Sequence, residues 1–109
     1  MRSFYLSLAA VIAASALAAQ DMNPGRAVFE SRCARCHGAD GMSHTFEGKM
    51  TGAAKFSDPE VVKLADADLI VVVKNGKKKM PAFGKKLTDD QIASVLAYVH
   101  TLQKPANPQ

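Results

Sequence analysis

Tryptophan is absent from this sequence, and cysteine is scarce. Of the 109 residues none is Trp and two are Cys. A disulfide between Cys33 and Cys36 would close a very short loop and add almost nothing to stability. A zinc site would need more ligands, because His44 and His100 lack the usual pair spacing. The two cysteines therefore need another explanation.

Signals of β-structure and of enzyme chemistry are also few. The single cluster of β-branched residues, 70–73, lies inside a helical pattern, and neither an internal repeat nor a long low-complexity tract is visible. No group of acid, base and nucleophile suited to a substrate appears, so we do not expect an enzyme. A chain of this length and pattern is expected to form one all-α domain.

The longest apolar run covers residues 4–17, broken only by Ser7 and Ser15, and is shorter than the roughly 20 apolar residues that a membrane span needs. Arg2 precedes the run, and the small residues Ala16, Ala18 and Ala19 end it, which is the order typical of a secretory signal peptide. We expect residues 1–19 to be a cleaved signal peptide and the protein to be periplasmic. Retention of this segment as a membrane anchor is the alternative.

The mature part is then a domain over residues 20–104, followed by a frayed tail over 105–109. A domain of roughly 90 residues buries only a modest core and is marginal without help. Small natural domains often recruit a metal or a disulfide for stability. The sequence therefore favours a domain that closes around a bound cofactor.

Two well-marked helices are expected at the beginning and end of this domain. The first covers about residues 23–35, with Asn23 as its cap and Pro24 at the first helical position. The last begins after Thr88, which forms a capping box with Gln91. Its apolar residues recur at helical spacing and would form one buried face: Ile92, Val95, Leu96, Val99 and Leu102.

Between them, two shorter helices and a long irregular stretch are expected. One helix starts at Pro59, and another covers about 67–75 with Asp66 or Asp68 as its cap. Residues 38–57 contain several glycines and few aliphatic residues, and a structureless stretch of this length is unusual in a compact domain. We expect it to pack on the bound cofactor.

The segment 33–37, Cys-Ala-Arg-Cys-His, has the spacing of the c-type haem attachment sequence C-x-x-C-H. Two thiols separated by two residues can form thioether bonds with the vinyl groups of a porphyrin, and His37 can then bind the iron. The alternative is a redox-active C-x-x-C of thioredoxin type, which normally follows a strand in a βαβ unit. A helix precedes the motif here, which favours haem attachment through Cys33 and Cys36.

Four motifs occur along the mature chain: Gly25-x-x-x-Phe29-x-x-x-Cys33-x-x-Cys36-His37-Gly38, Lys74-Asn75-Gly76, Lys79-Met80-Pro81-Ala82-Phe83 and Leu96-Ala97-Tyr98-Val99. Together they resemble the bacterial class I cytochromes c over essentially all of the mature chain. The resemblance implies an all-α class I cytochrome c fold of four or five helices around one covalently bound haem c. It also implies that the first and last helices cross, with Gly25 and Phe29 packed against Val95 and Tyr98.

By the same resemblance, Met80 is the second axial ligand of the iron. It lies in a non-helical loop stiffened by Pro81, although a methionine is more often a core residue. Such His/Met ligation raises the reduction potential relative to ligation by two histidines. His44 is expected to face solvent, with replacement of a ligand as its alternative role. One departure is that many family members have a proline whose carbonyl accepts the N–H of the ligating histidine, and none occurs between His37 and Pro59.

Six lysines and no acidic residue lie between positions 74 and 86, although the formal net charge of the chain is only +4. In the family this segment lies beside the exposed haem edge. We expect it to form a docking face for an acidic redox partner, with a merely solvated loop as the alternative. Nucleic-acid binding is not expected, because the lysines lack stacking aromatics. The docking residues are Lys77, Lys78, Lys79, Lys85 and Lys86.

The resemblance implies a one-electron carrier that shuttles electrons between membrane or periplasmic redox partners. We expect a monomer that meets the membrane only through such partners. Two other functions stay open: a haem-based ligand-binding, sensing or peroxidase-like module in which Met80 is displaced, and a fixed haem subunit of a larger oxidoreductase. Binding of CO would favour the first, and co-purification with a partner would favour the second.

Overall fold

A computed structural model describes residues 23–103, and helices dominate this part of the chain. The only β-type pairing within it is an isolated bridge between Lys77 and Met80, and none of its helices has the length and apolarity to span a bilayer. The signal peptide predicted over 1–19 and the tail over 105–109 lie outside the described residues. The helices are α1 (Pro24–Arg32), α2 (Ala34–His37), α3 (Phe46–Thr51), α4 (Pro59–Val62), α5 (Asp66–Asn75) and α6 (Asp89–Leu102).

The all-α architecture is confirmed, with two differences in the helices. The prediction of a continuous first helix is wrong, because Cys33, with a φ of −117°, separates α1 from α2. The stretch 38–57 is not wholly irregular, since it contains α3. The Thr45 hydroxyl caps this helix by accepting from the Gly48 N–H at 2.9 Å, and Gly52, with a φ of 68°, ends it. These differences account for six helices in the described residues where four or five are expected.

The caps predicted for the first and last helices are confirmed. Asn23 Oδ1 accepts a hydrogen bond from the Arg26 N–H at 3.1 Å. At α6, the Gln91 N–H donates to Thr88 Oγ1 at 3.1 Å and the Thr88 N–H donates to Gln91 Oε1 at 2.9 Å. Both helices therefore begin at residues whose side chains satisfy amide groups that the helix itself leaves unpaired.

The start of α5 differs from the prediction. Neither Asp66 nor Asp68 is its cap, because Ala65 occupies that position and makes no side-chain hydrogen bond there. The Asp66 carboxylate instead pairs with His100 on α6, with 2.6 Å between Oδ1 and Nε2. The other ring nitrogen of His100 lies 2.8 Å from Gln103 Oε1. His100 therefore links the start of α5 to the end of α6.

α1 and α6 pack closely at Gly25. A Cβ atom at this position would lie 2.1 Å from the Ser94 carbonyl oxygen, so only glycine allows the approach. One turn further along α1, Phe29 is fully buried, and its ring centroid lies 5.3 Å from that of Tyr98. Val95 belongs to the same buried cluster. These contacts confirm the expected packing of the first helix against the last.

The core consists of two clusters of buried side chains, and α6 contributes to both. Cys33 packs against the edge of the first, the Phe29 cluster, and Met80 packs against the second, the Ile92 cluster. Val28 contacts both. The Phe29 cluster comprises Phe29, Phe56, Val95 and Val99, and the Ile92 cluster comprises Leu69, Phe83, Leu87, Ile92 and Leu96.

Replacement of Gly25 by alanine tests the contact between α1 and α6. Helix propensity alone predicts that Gly25→Ala stabilises the protein by about 0.5–1 kcal/mol. Overlap with the Ser94 carbonyl predicts the opposite, a loss of about 1–3 kcal/mol in the free energy of unfolding. Urea unfolding of the intact protein measures the sign of the change in the free energy of unfolding. Ala27→Gly, on the exposed side of α1, controls for propensity and should lose about 1 kcal/mol; a stabilised Gly25→Ala would contradict the contact.

The pairing of His100 predicts that stability depends on pH. Hydrogen bonds to Asp66 and Gln103 raise the pKa of His100 above its usual 6.5. The stabilisation is therefore complete below about pH 6.5 and is lost as the pH rises through the higher pKa of the folded state. The difference in free energy of unfolding between the unmodified protein and His100→Gln should be largest in mild acid and shrink above neutral pH.

Urea unfolding across this pH range measures the difference. Asp66→Asn removes the acid of the pair and should weaken the same pH dependence. The stabilising role of the His100–Asp66 pair would be refuted if the difference in free energy of unfolding between His100→Gln and the unmodified protein grew as the pH rises.

Candidate haem site

The C-x-x-C-H residues occupy one turn at the junction of α1 and α2. The N–H groups of Cys36 and His37 both donate to the Cys33 carbonyl, at 3.2 and 3.0 Å. Both cysteines are free and half-buried. The turn thus gathers two thiols and an imidazole on one short segment, at the edge of the Phe29 cluster.

The thiol of Cys33 is held in its neutral form. Burial raises the pKa of Cys33 to about 11. A redox cysteine of thioredoxin type needs a lowered pKa that yields a thiolate, so this environment argues against the dithiol alternative. The zinc alternative also lacks support, since no group of three or more His, Cys, Asp or Glu residues within 23–103 could hold a metal ion.

One hydrogen bond and one stacking contact fix the ring of His37. Its Nδ1 lies 3.0 Å from the Ala54 carbonyl oxygen. Because a carbonyl only accepts, Nδ1 carries the proton and Nε2 keeps its lone pair. The ring stacks on Phe56, with the centroids 4.7 Å apart. Burial lowers the pKa of His37, the bond to Ala54 opposes this shift, and the result is a neutral imidazole of the kind that binds iron.

Ala54 supplies the carbonyl partner that the sequence does not reveal. The loop after the motif has no proline, and the segment after α3 provides the oxygen instead. The same oxygen accepts a second hydrogen bond, from Ser43 Oγ at 2.7 Å. The Thr45 hydroxyl donates to the Cys36 carbonyl at 3.0 Å. Residue spacing gives no signal for these contacts, because they depend on how the loop folds back over the motif.

Met80 lies in a tight turn that α5 holds in place. The main-chain groups of Lys77 and Met80 pair with each other at 2.9 and 3.2 Å, and Lys78 between them has a φ of 53°. A Cβ at Gly76 would lie 2.6 Å from the Met80 carbonyl oxygen, so this approach needs glycine. The Phe83 N–H donates to a carbonyl of α5 at 2.8 Å. The Met80 side chain is thereby held, half-buried, against the Ile92 cluster.

The turn that carries Met80 also meets α3. Lys79 Nζ donates to the Met50 carbonyl at 3.4 Å. One turn apart on α3, Phe46 and Met50 are 75% and 63% exposed. Two large apolar side chains exposed together on one short helix fit contact with a flat apolar group.

The set of donor groups fits a haem c. Cys33 and Cys36 offer two thiols for thioether bonds, His37 offers a neutral imidazole and Met80 offers a thioether. The imidazole rests on the ring of Phe56, in the Phe29 cluster, whereas Met80 packs against the Ile92 cluster. The two potential axial ligands are therefore fixed by different parts of the core.

The lysines at the end of α5 and beyond it differ in their contacts. Lys74 pairs with the Asp89 carboxylate at 2.8 Å, which lowers the pKa of Asp89. Lys86 Nζ lies 5.7 Å from the centroid of the Phe83 ring. His44 is exposed, as predicted. The lysines predicted to form a docking face are all exposed: Lys77, Lys78, Lys79, Lys85 and Lys86.

Comparisons with known proteins place this chain in a family. The family described as "Cytochrome C oxidase, cbb3-type, subunit III" matches residues 20–99. Cytochrome c6 of Rippkaea orientalis is 42% identical over 82 residues, which cover 74% of this chain and 70% of that protein. Cytochrome c6 of Diacronema lutheri is 36% identical, over 72% of this chain and 93% of that protein.

A solved structure, that of the KustC0563 c-type cytochrome, has a similar fold. Its TM-score is 0.67 at 32% sequence identity, and the match covers 73% of this chain and 98% of that one. The family match, the relatives and the fold therefore agree with one another and with the donor groups of the site. The chain belongs to the small class I c-type cytochromes, and it is an electron-transfer protein with one covalently bound haem c rather than an enzyme.

Proposed function

We propose that Cys33 and Cys36 form the thioether bonds to the haem and that His37 and Met80 are its axial ligands. The hydrogen bond between His37 Nδ1 and the Ala54 carbonyl, at 3.0 Å, is the observation that carries this assignment. It leaves the Nε2 lone pair available on the same turn as the two thiols. When bound, the haem supplies an iron that changes between Fe(III) and Fe(II) by one electron.

The chain's own groups would decide how readily that electron is accepted. A thioether ligand from Met80 raises the reduction potential relative to a second histidine. The paired main-chain groups of Lys77 and Met80, and the close approach at Gly76, support a fixed position for the thioether. With His37 and Met80 both bound to the iron, small ligands such as O₂ would be kept away and electron transfer would be the remaining activity.

The five exposed lysines would form a docking face for an acidic redox partner. They are concentrated on and just after the Met80 turn, in a segment without acidic residues. Positive charge on this face would speed the encounter with an acidic surface. The acceleration would weaken as the salt concentration rises. Interfaces of this kind are small and short-lived, which suits a monomeric carrier that leaves after each transfer.

Residues 1–19 would be a cleaved signal peptide that exports the chain to the periplasm. The sequence there has a charged start, an apolar run and small residues in the order that export signals require. The family match begins at residue 20, directly after this segment. The mass of the mature protein tests cleavage, since a retained anchor would leave the full-length mass.

A fixed subunit of a larger oxidoreductase is the second candidate function, because the matching family is described by a subunit of an oxidase. Size-exclusion chromatography of a detergent extract of the cells, followed by haem absorbance, distinguishes the two. Elution at the size of the monomer supports a free carrier, and elution with other subunits supports a fixed one.

Replacement of Met80 tests the second axial ligand. The oxidised unmodified protein should show the weak far-red band of methionine bound to iron(III), and the reduced protein should not bind CO. In Met80→Ala the band should disappear and CO should bind, because the sixth position opens. Absorption spectra of both oxidation states, with and without CO, measure these changes.

Met42→Leu is the matched control, since it removes another thioether from a loop and should leave the far-red band in place. CO binding by the unmodified protein would instead favour the ligand-binding module.

Removal of lysine charge tests the docking face. Hexacyanoferrate(III) is an anionic oxidant that accepts one electron from the reduced protein. A triple variant with Lys77, Lys78 and Lys79 changed to Gln should react with it about threefold to tenfold more slowly at low salt. The difference should vanish near 1 M salt, where the screening length is about 3 Å. Stopped-flow absorbance measures the rates.

A second triple variant, with Arg32, Lys55 and Lys63 changed to Gln, removes the same charge outside the 74–86 segment. It should slow the reaction much less. Equal slowing by both triple variants would assign the effect to net charge and refute a local docking face.

A further inference from the structure

We propose that Ser43 is a positioning residue for His37: its hydroxyl shares the Ala54 carbonyl with the imidazole and thereby raises the reduction potential of the haem. The inference rests on the proposed ligation of the iron by His37. It gives a function in electron transfer to a side chain that lies outside the C-x-x-C-H motif and does not itself contact the iron.

Ser43 and His37 hold the same oxygen atom. Ser43 Oγ donates to the Ala54 carbonyl at 2.7 Å, and His37 Nδ1 lies 3.0 Å from it. Ser43 is only 7% exposed, so water has little access to its hydroxyl. The hydroxyl therefore donates its hydrogen bond to the same carbonyl oxygen as the imidazole.

The backbone of Ser43 is in a conformation that is unusual for serine. Its φ of 57° lies in the left-handed region, which residues other than glycine adopt only at a cost. Its N–H donates to the His37 carbonyl at 2.7 Å, so the main chain of Ser43 is tied to the very residue that its side chain influences. A glycine could make the same main-chain contact without strain. What serine adds at this position is the hydroxyl.

The shared oxygen fixes the direction of the effect. A carbonyl oxygen has two lone pairs and can accept both bonds, but each donor draws electron density away from the other. The bond from a ligating histidine to its carbonyl raises the basicity of the ligand. Competition from Ser43 weakens that bond and leaves the imidazole of His37 less electron-rich.

A less electron-rich imidazole stabilises the oxidised iron less. The equilibrium of the one-electron reduction, Fe(III) + e⁻ → Fe(II), then shifts towards Fe(II). The redox partner supplies the electron, and no proton is transferred, because Nδ1 keeps its proton in both oxidation states. Removal of the hydroxyl should therefore lower the reduction potential.

Ser43→Gly and Ser43→Ala provide the test, because both remove the hydroxyl but only the glycine relieves the backbone strain. At a fixed applied potential, the ratio of reduced to oxidised protein should fall about threefold in both variants. This corresponds to about 28 mV, at 59 mV for a tenfold change with one electron. Spectroelectrochemical titration of the holoprotein measures the ratio, and urea unfolding should show Ser43→Gly to be the more stable variant.

The hydrogen bond of the histidine gives a second readout. In proton NMR spectra of the reduced protein, the His37 Nδ1 proton should move downfield in both variants, because its bond to Ala54 becomes shorter. Thr51→Ala is the matched control. It also removes a hydroxyl that donates to a carbonyl, that of Glu47 at 2.7 Å, and should change neither the potential nor the proton shift.

An unchanged potential in both Ser43 variants, with the far-red methionine band intact, would overturn the inference and leave the proposed function standing. Shifts of the reduction potential in opposite directions in the two variants would also overturn it, because the potential would then depend on the backbone strain rather than on the hydroxyl. Absence of His/Met spectra from the unmodified protein would mean that the proposed ligation itself had failed.

Discussion

The close approach of α1 to α6 at Gly25 is the constraint on which the rest of the structure depends. The Ser94 carbonyl lies where a Cβ would otherwise be, so the two helices meet at a distance that no other residue allows. Phe29, one turn further on, is fully buried in the core. Cys33 then emerges at the edge of the Phe29 cluster. A glycine about two turns earlier thus decides where the C-x-x-C-H turn lies.

α6 contributes buried residues to both clusters that border the site. Ile92 and Val95 are both almost completely buried, yet they belong to different clusters. One rigid helix therefore supports Met80 through the Ile92 cluster and His37 through Phe56 in the Phe29 cluster. The ligation proposed for these two residues would benefit, because an electron carrier works best when its ligands keep their places in both oxidation states, and close-packed cores resist displacement.

The sequence predicts α6 and the C-x-x-C-H turn well because their determinants are local: a cap, an apolar spacing, a short motif. The Met80 turn is equally local, being bounded by Gly76 and the end of α5. α3 escapes prediction because it is a short helix that relies on the Thr45 cap. Asp66 is mistaken for a cap because its partner, His100, lies on another helix. Contacts between distant segments leave no periodic trace in a sequence.

The oxygen that orients His37 belongs to the main chain of Ala54, and this has a consequence for how the segment can evolve. Every amino acid carries a backbone carbonyl, so the identity of the residue at this position is of little importance to the imidazole. What matters is that a carbonyl arrives there, which depends on the number of residues between the motif and α4. We therefore expect position 54 to tolerate substitution readily, whereas the segment between the motif and Ala54 should resist the insertions and deletions that surface loops usually accept.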